Sequence, residues 1–272
     1  MRTTMKLAVV AMLWAGAAAA HSQQAMPSQG DASSKSSTTR RIANTTIVLV
    51  HGAFADATGW QEVIPLLQRA GYKVRAVQNP LLSAAQDVET TRRAILTEAD
   101  SGRDVVVVGH SYGGFVITGA AAGIAHVKAL VYIAAFAPEA NERVDAFLKQ
   151  YPSDLGTALV PDAAGFLYIN DAKFHDVFAA DLPERSTRVA AAAQKPIVAT
   201  AFGATVPVAA WKTIPSWYIV AQHDHAINPD LERFYAKRMK AHTSEVNASH
   251  VAFISRPREV VRVILEAAHS LQ

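Results

Sequence analysis

Val105-Val106-Val107-Val108-Gly109-His110-Ser111-Tyr112-Gly113-Gly114 is the stretch from which the rest of the chain can be read. Four consecutive valines form a β-branched, continuously apolar run, the pattern of a strand buried on both faces. The residues after the turn, 112–124, are small and apolar and predict a helix. Between the two lies Gly-x-Ser-x-Gly. A strand that turns directly into a helix forces strained backbone on the residue at the corner. Glycine two places before and two places after Ser111 removes the Cβ atoms that would collide there. Such a turn lifts the Ser111 hydroxyl clear of the sheet edge and aims a helix N-terminus at it. The Tyr112 N–H can then point at a developing oxyanion. The pentapeptide alone recurs by chance, and its strand and helix flanks are what make Ser111 a nucleophile candidate.

Outward from this turn the same alternation repeats. Apolar runs at 46–50, 73–77, 127–134, 216–221 and 244–247 predict further strands, and 60–70, 85–99, 231–240 and 257–271 predict helices. Gly71 stops the first of these helices, and Pro257 suits the first turn of the last. Strand–helix alternation of this kind predicts an α/β fold, a mostly parallel sheet flanked by helices on both faces. Residues 138–208 break the rhythm. They hold no strong strand run but many aromatics, and are expected to form a small helical cap over the carboxyl ends of the strands.

The ends of the chain read differently. Arg2 and Lys6 precede an Ala-rich apolar stretch at 7–20, with small residues at Ala18, Ala20 and Ser22, the pattern of a secretory signal over about 1–26. Residues 27–44 are expected to be a flexible leader, rich in Ser, Gln and Thr, before a domain at 45–272. The protein is therefore expected to be exported, to the periplasm or the medium. The 272 residues contain no cysteine, so neither a disulfide nor a thiolate metal site is available. A net charge of +3 with no Lys/Arg-rich run downstream argues against nucleic acid as a partner.

From Thr46 to Leu271 the sequence resembles the α/β-hydrolase superfamily, on the turn at Ser111 and on His51-Gly52-Ala53-Phe54 followed by Gly59-Trp60. The latter pattern is similar to the methylesterase and hydroxynitrile-lyase branch. The resemblance implies an α/β-hydrolase fold, a second oxyanion donor in the Ala53 N–H beside that of Tyr112, and the chain order serine, acid, histidine. Asp224 stands just past the run at 216–221 and before Pro229, where the family keeps its acid. Asp230 competes for that role, but its place after Pro229 suits a helix first turn. His250 follows the last strand-like run, where the family keeps its histidine; His126, His175, His242 and His269 lie elsewhere in the pattern.

The chemistry needs all three groups. A serine hydroxyl becomes a useful nucleophile when an imidazole can take its proton, and a carboxylate holds that imidazole in the right tautomer. No metal or organic cofactor is required. His223-Asp224-His225 invites a metal reading, but neighbours at a strand end point to opposite sides and no third ligand stands near. The expected substrate is a small to medium apolar carboxylic ester or lactone, in a pocket built from Phe54, His110, Phe136, Phe166 and Val251.

Three other activities belong to the same superfamily. A cofactor-free perhydrolase or haloperoxidase would use the same residues. A hydroxynitrile lyase is disfavoured because that branch carries Thr and Lys where this chain has Gly52 and Val251. A non-catalytic small-molecule binder would be favoured by loss of a triad residue, and none is missing.

Overall fold

The computed structural model describes residues 40–270. The expected signal and most of the expected leader lie outside them. Residues 40–43 form a helical turn rather than flexible chain, because Ile42 gives that end an apolar side chain to set against the core.

Six parallel strands form the central sheet: β1 (Thr45–Val50), β2 (Lys73–Val77), β3 (Asp104–His110), β4 (Val127–Ile133), β8 (Ser216–Ala221) and β9 (His242–Val246). Their spatial order is β2-β1-β3-β4-β8-β9. Every residue of β1 and β8 is buried, and Val105 to Val108 of β3 are fully buried, as continuous apolar runs require of inner strands. The edge strands β2 and β9 are more polar and partly exposed. β9 begins at His242, two residues before the predicted strand, and the His242 ring stacks on Trp217.

The chain runs outward from β1 to β2, then crosses back to β3 on the other side of β1. The loops after β1 and β3 thus leave neighbouring strands in opposite directions, with Val50 level with Gly109. A crevice at the carboxyl end of a parallel sheet opens at such a switch point, and ligands bind there in open α/β folds.

Helices flank the sheet. α1 (Ile64–Arg69) packs with the last helix, α10 (Pro257–His269), whose inward stripe runs through Val260, Ile264 and Ala267. α2 (Ala84–Ala99), capped by Ser83, packs against α3 (Tyr112–Ala120). α8 (Pro229–Met239) lies on β8, with Asn228 capping its start and Lys240 closing it in the left-handed conformation. The predicted helix at 60–70 is divided: a 3-10 turn at Ala57–Glu62 precedes α1, and Pro65 stands at the junction.

The cap contains α4 (Val144–Gln150), α5 (Leu155–Ala158), α6 (Asp171–Phe178) and α7 (Glu184–Ala192). It is not purely helical as expected. β5 (Leu159–Pro161), β6 (Phe166–Ile169) and β7 (Ile197–Val198) form a small antiparallel sheet. These strands are too short for a period-2 signal. The turn between the first two is set by Asp162, whose carboxylate accepts the N–H of Ala164 and Phe166, and by Gly165 at φ 82°.

Candidate active site

Ser111 sits at the corner between β3 and α3 with φ 54° and ψ −124°, a conformation that costs energy for any residue with a Cβ. Backbone hydrogen bonds hold it there. Its N–H donates to Ile133 O at 3.1 Å, and its carbonyl accepts from Gly114 N at 2.9 Å and Phe136 N at 3.1 Å. The flanking glycines are required by close approach. A Cβ on Gly113 would lie 2.6 Å from Val50 O, and one on Gly109 2.6 Å from Gly113 O.

The loop after β1 reaches the same corner. A Cβ on Gly52 would stand 2.7 Å from Ser111 Cβ, so the two segments touch there. Phe54 adopts φ 60°, which bends the loop immediately after Ala53. Ala53 and Tyr112 are both buried, yet among the described residues neither backbone N–H has a hydrogen-bond partner. Buried N–H groups are very rarely left unpaired. Two of them, on the two segments that meet at Ser111, are what stabilising an oxyanion requires.

His51 sets this loop. Its Nδ1–H donates to Gly52 O at 2.8 Å and its Nε2 accepts the Asn79 N–H at 3.0 Å. Burial pushes the imidazole down to about 4, so it stays neutral. From the other segment, the Tyr112 hydroxyl donates to Asp87 Oδ2 at 2.8 Å, while Asp87 Oδ1 accepts the Leu81 N–H. Burial raises both groups, the carboxyl above its usual range and the phenol likewise.

Asp224 and His250 meet, from the loops after β8 and β9. Asp224 Oδ2 accepts a 2.5 Å hydrogen bond from His250 Nδ1, and Asp224 Oδ1 accepts the N–H of Ala226 at 2.7 Å and Ile227 at 2.8 Å. Both side chains are almost fully buried. Asp230 is instead an exposed first-turn residue paired with Arg233. His223 and His225 are exposed, and His225 bonds Asp154 of the cap. No cluster of three metal-binding side chains occurs among the described residues.

His110 links Ser111 to His250. Its Nε2–H donates to the His250 carbonyl at 2.9 Å, and the two rings lie 4.6 Å apart between centroids. It is fully buried, so it braces the backbone of His250 rather than lining a pocket. Burial first, then the nearby His250, holds its imidazole well below the usual histidine range. Among the described residues no hydrogen bond joins Ser111 Oγ to the His250 ring. In unliganded sites such bonds are often long and tighten when substrate arrives.

A cavity of about 170 Å³ is walled by Phe54, Phe174, Phe178, Leu182, Val251 and Phe253, with Asp56 its one charged residue among those described. It adjoins the cluster through Phe54, next to Ala53, and Val251, next to His250, while Ser111 and His250 themselves do not line it. Phe54 and Val251 are thus at the pocket. Phe136, which packs edge-on to Phe202, and Phe166, in β6 of the cap, were expected at the pocket but do not line this cavity. Phe178 was legible only as one of several cap aromatics. It packs 4.9 Å from the His250 ring and edge-on to Phe54. Asp181 gave no signal in the sequence: it accepts a hydrogen bond from Ser249, the neighbour of His250. The cap further reaches the core through Ser153 to Ala226 O and Lys195 to Asn79 O.

Comparison with known proteins agrees with this architecture. Residues 47–263 match the alpha/beta hydrolase family. An alpha/beta hydrolase of Aspergillus novofumigatus is 29% identical over 242 residues, covering 82% of this chain and 96% of that protein. A carbendazim-hydrolysing esterase of Nocardioides is 37% identical over 124 residues, 42% of this chain and 51% of the enzyme. Among solved structures, a pyrethroid hydrolase from Sphingobium faniae superposes with a TM-score of 0.71 at 23% identity, covering 83% of this chain and 98% of that one. With its parallel sheet, its strained serine corner and this match over most of its length, the chain belongs to the α/β-hydrolase family.

Proposed function

We propose that the protein is a serine esterase that cleaves small, neutral carboxylic esters or lactones. Ser111 is the nucleophile, His250 the general base and Asp224 the carboxylate that orients it. The observation that carries this reading is the 2.5 Å Asp224–His250 bond at the sheet edge where the strained Ser111 sits, with the Ala53 and Tyr112 amides left without a hydrogen-bond partner among the described residues.

In this reading His250 Nε2 takes the Ser111 proton as Oγ attacks the ester carbonyl. The negative oxygen that results is bound by the N–H of Ala53 and Tyr112, each such donor contributing about 3–4 kcal/mol. Asp224 stabilises the imidazolium. When the tetrahedral species collapses, the alkoxide leaves with the proton from His250, and the acyl group stays on Oγ. Water, deprotonated by the same imidazole, then releases the acid and restores Ser111. No step calls for a metal or an organic cofactor.

The cavity supports the substrate class. Its size is close to the ~150 Å³ that takes one benzene-sized apolar group. The ester is therefore expected to carry one aryl or short alkyl group into it. Asp56 disfavours anionic substrates. A lyase releasing cyanide would be helped by a cation in the wall, and no Lys or Arg lines it among the described residues. The relatives' names point the same way, since esterases are among them.

The test is direct. A fluorophosphonate probe should label Ser111, and Ser111→Ala should lose both labelling and hydrolysis of p-nitrophenyl acetate. A folded wild-type protein that does neither overturns the proposal. Export is proposed on Arg2, Lys6 and the apolar stretch at 7–20 alone, and N-terminal sequencing of the protein recovered from cells tests it.

A further inference from the structure

Beneath Asp224 lies a second acid that the chemistry above does not use. Glu232 falls in the first turn of α8, where a glutamate ordinarily faces solvent and favours the helix dipole. This one is turned inward and fully buried. Its Oε2 accepts the Ala221 N–H at 3.0 Å, at the end of the strand that leads to Asp224. Its Oε1 is buried too, and no donor reaches it among the described residues. An ionised carboxylate with one backbone donor and a bare second oxygen is a costly object in a protein interior.

Asp224 sits at the same strand end: its N–H donates to Ala221 O at 3.2 Å while Glu232 takes the Ala221 N–H at 3.0 Å, which sets the two acids against each other. Two buried carboxyls that close cannot both be ionised, and one proton must be shared between them. The donors decide where it sits. Asp224 receives three hydrogen bonds, from Ala226 N, Ile227 N and His250 Nδ1, and Glu232 receives one. The charge is better satisfied on Asp224. The remaining groups around Glu232 do not reverse this. Tyr218 and Tyr235 are buried neutral phenols, and Arg233 points outward into ion pairs with Glu245 and Asp230.

We propose that Glu232 is a positioning residue for the Ser111–His250–Asp224 group: a protonated carboxylic acid whose Oε1–H donates a hydrogen bond to the Asp224 carboxylate. Burial, and next the charge of Asp224, push the Glu232 carboxyl well above the usual carboxylate range, in keeping with that geometry. The Glu232 proton holds Asp224 from beneath as the two loop amides hold it from the side, and takes part of its charge. Asp224 therefore binds the imidazolium less tightly than a bare carboxylate would. The role rests on the esterase reading, but the bond itself can be tested without it.

Infrared difference spectra of the whole protein, wild type against Glu232→Gln, should show the carbonyl band of a buried protonated acid at neutral pH. Asp224→Asn should shift that band, because the anionic acceptor is gone. A missing band, or one that Asp224→Asn leaves in place, overturns the proposal whether or not the protein hydrolyses esters. The pH profile of kcat/KM for p-nitrophenyl acetate reads the consequence. Glu232→Leu removes the donor, so the acid limb should move up by about one pH unit and kcat should fall about tenfold. Glu232→Gln retains a donor and should recover most of both. If Glu232→Leu folds and leaves the acid limb where it was, Glu232 only fills space and the positioning role is lost. If Glu232→Leu fails to fold, Glu232→Gln still decides. An acid limb lowered by about one unit in that variant means that a negative charge has been removed, and Glu232 was ionised after all. A wild type with no esterase activity, but with the band and its shift, would sink the esterase reading and leave the Glu232–Asp224 bond standing.

Discussion

His51 and Asn79 are joined by a hydrogen bond in which the imidazole is the acceptor: Nε2 takes the Asn79 N–H at 3.0 Å, while Nδ1–H is committed to Gly52 O. A second proton on this ring would break the first bond. The folded-state value of about 4 lies below the unfolded 6.5, so between these values the unfolded chain binds the extra proton. Stability is therefore full above pH 6.5 and falls as pH drops toward 4, by about 3 kcal/mol from this residue. His110, also depressed by burial, adds to the slope in the same direction. Urea unfolding at a series of pH values should show the decline, and His51→Gln should flatten it while His110 keeps part of it.

Gly52→Ala tests the contact between the loop after β1 and the serine corner. Its Cβ would meet Ser111 Cβ at 2.7 Å, and either the loop or the serine must retreat. On the proposed role of the Ala53 N–H as an oxyanion donor, its displacement should lower kcat about 10²–10³-fold. The circular dichroism spectrum should stay that of the wild type, since the sheet is untouched.

Asp224→Asn separates charge from geometry. The asparagine oxygen can still accept the Ala226 and Ile227 N–H, so the loop should fold normally. The imidazolium loses its counter-charge, and the tautomer of His250 is no longer fixed. A fall in kcat of about 10⁴-fold is expected, with thermal unfolding changed by only a few degrees.

Phe178→Ala should affect both stability and selectivity. The ring is buried between His250 and Phe54, and its loss should cost about 3 kcal/mol in urea unfolding. The cavity it helps to wall would widen, so KM for a small acetyl ester should rise more than KM for a bulky aryl ester. Equal changes for both would place the substrate elsewhere.

The sheet was legible because its strands are long enough to declare themselves. The four valines of β3 and the wholly buried β1 have no other plausible home in a chain this size. Ser111 was legible from its strand and helix flanks, and Asp224 and His250 through the resemblance to the family, each at a position that follows a strand-like run. The Tyr112 amide was read from the turn at Ser111, and the Ala53 amide was implied by the resemblance. What stayed hidden depends on partners remote in sequence. His110 looks like a pocket residue until its bond to the His250 carbonyl is seen, 140 positions away. The cap strands are two to four residues long, too short for a periodic signal, and Glu232 reads as an ordinary first-turn acid because nothing local says which way it faces.

The bond from Ser249 to Asp181 ties the cap to the segment that carries His250. The cap is thus no interchangeable lid. A transplant that altered its specificity by bringing in a foreign 138–208 segment without a matching carboxylate would also release the neighbour of His250. Breadth of substrate choice and sharpness of the chemistry would have to be inherited together, through one side chain.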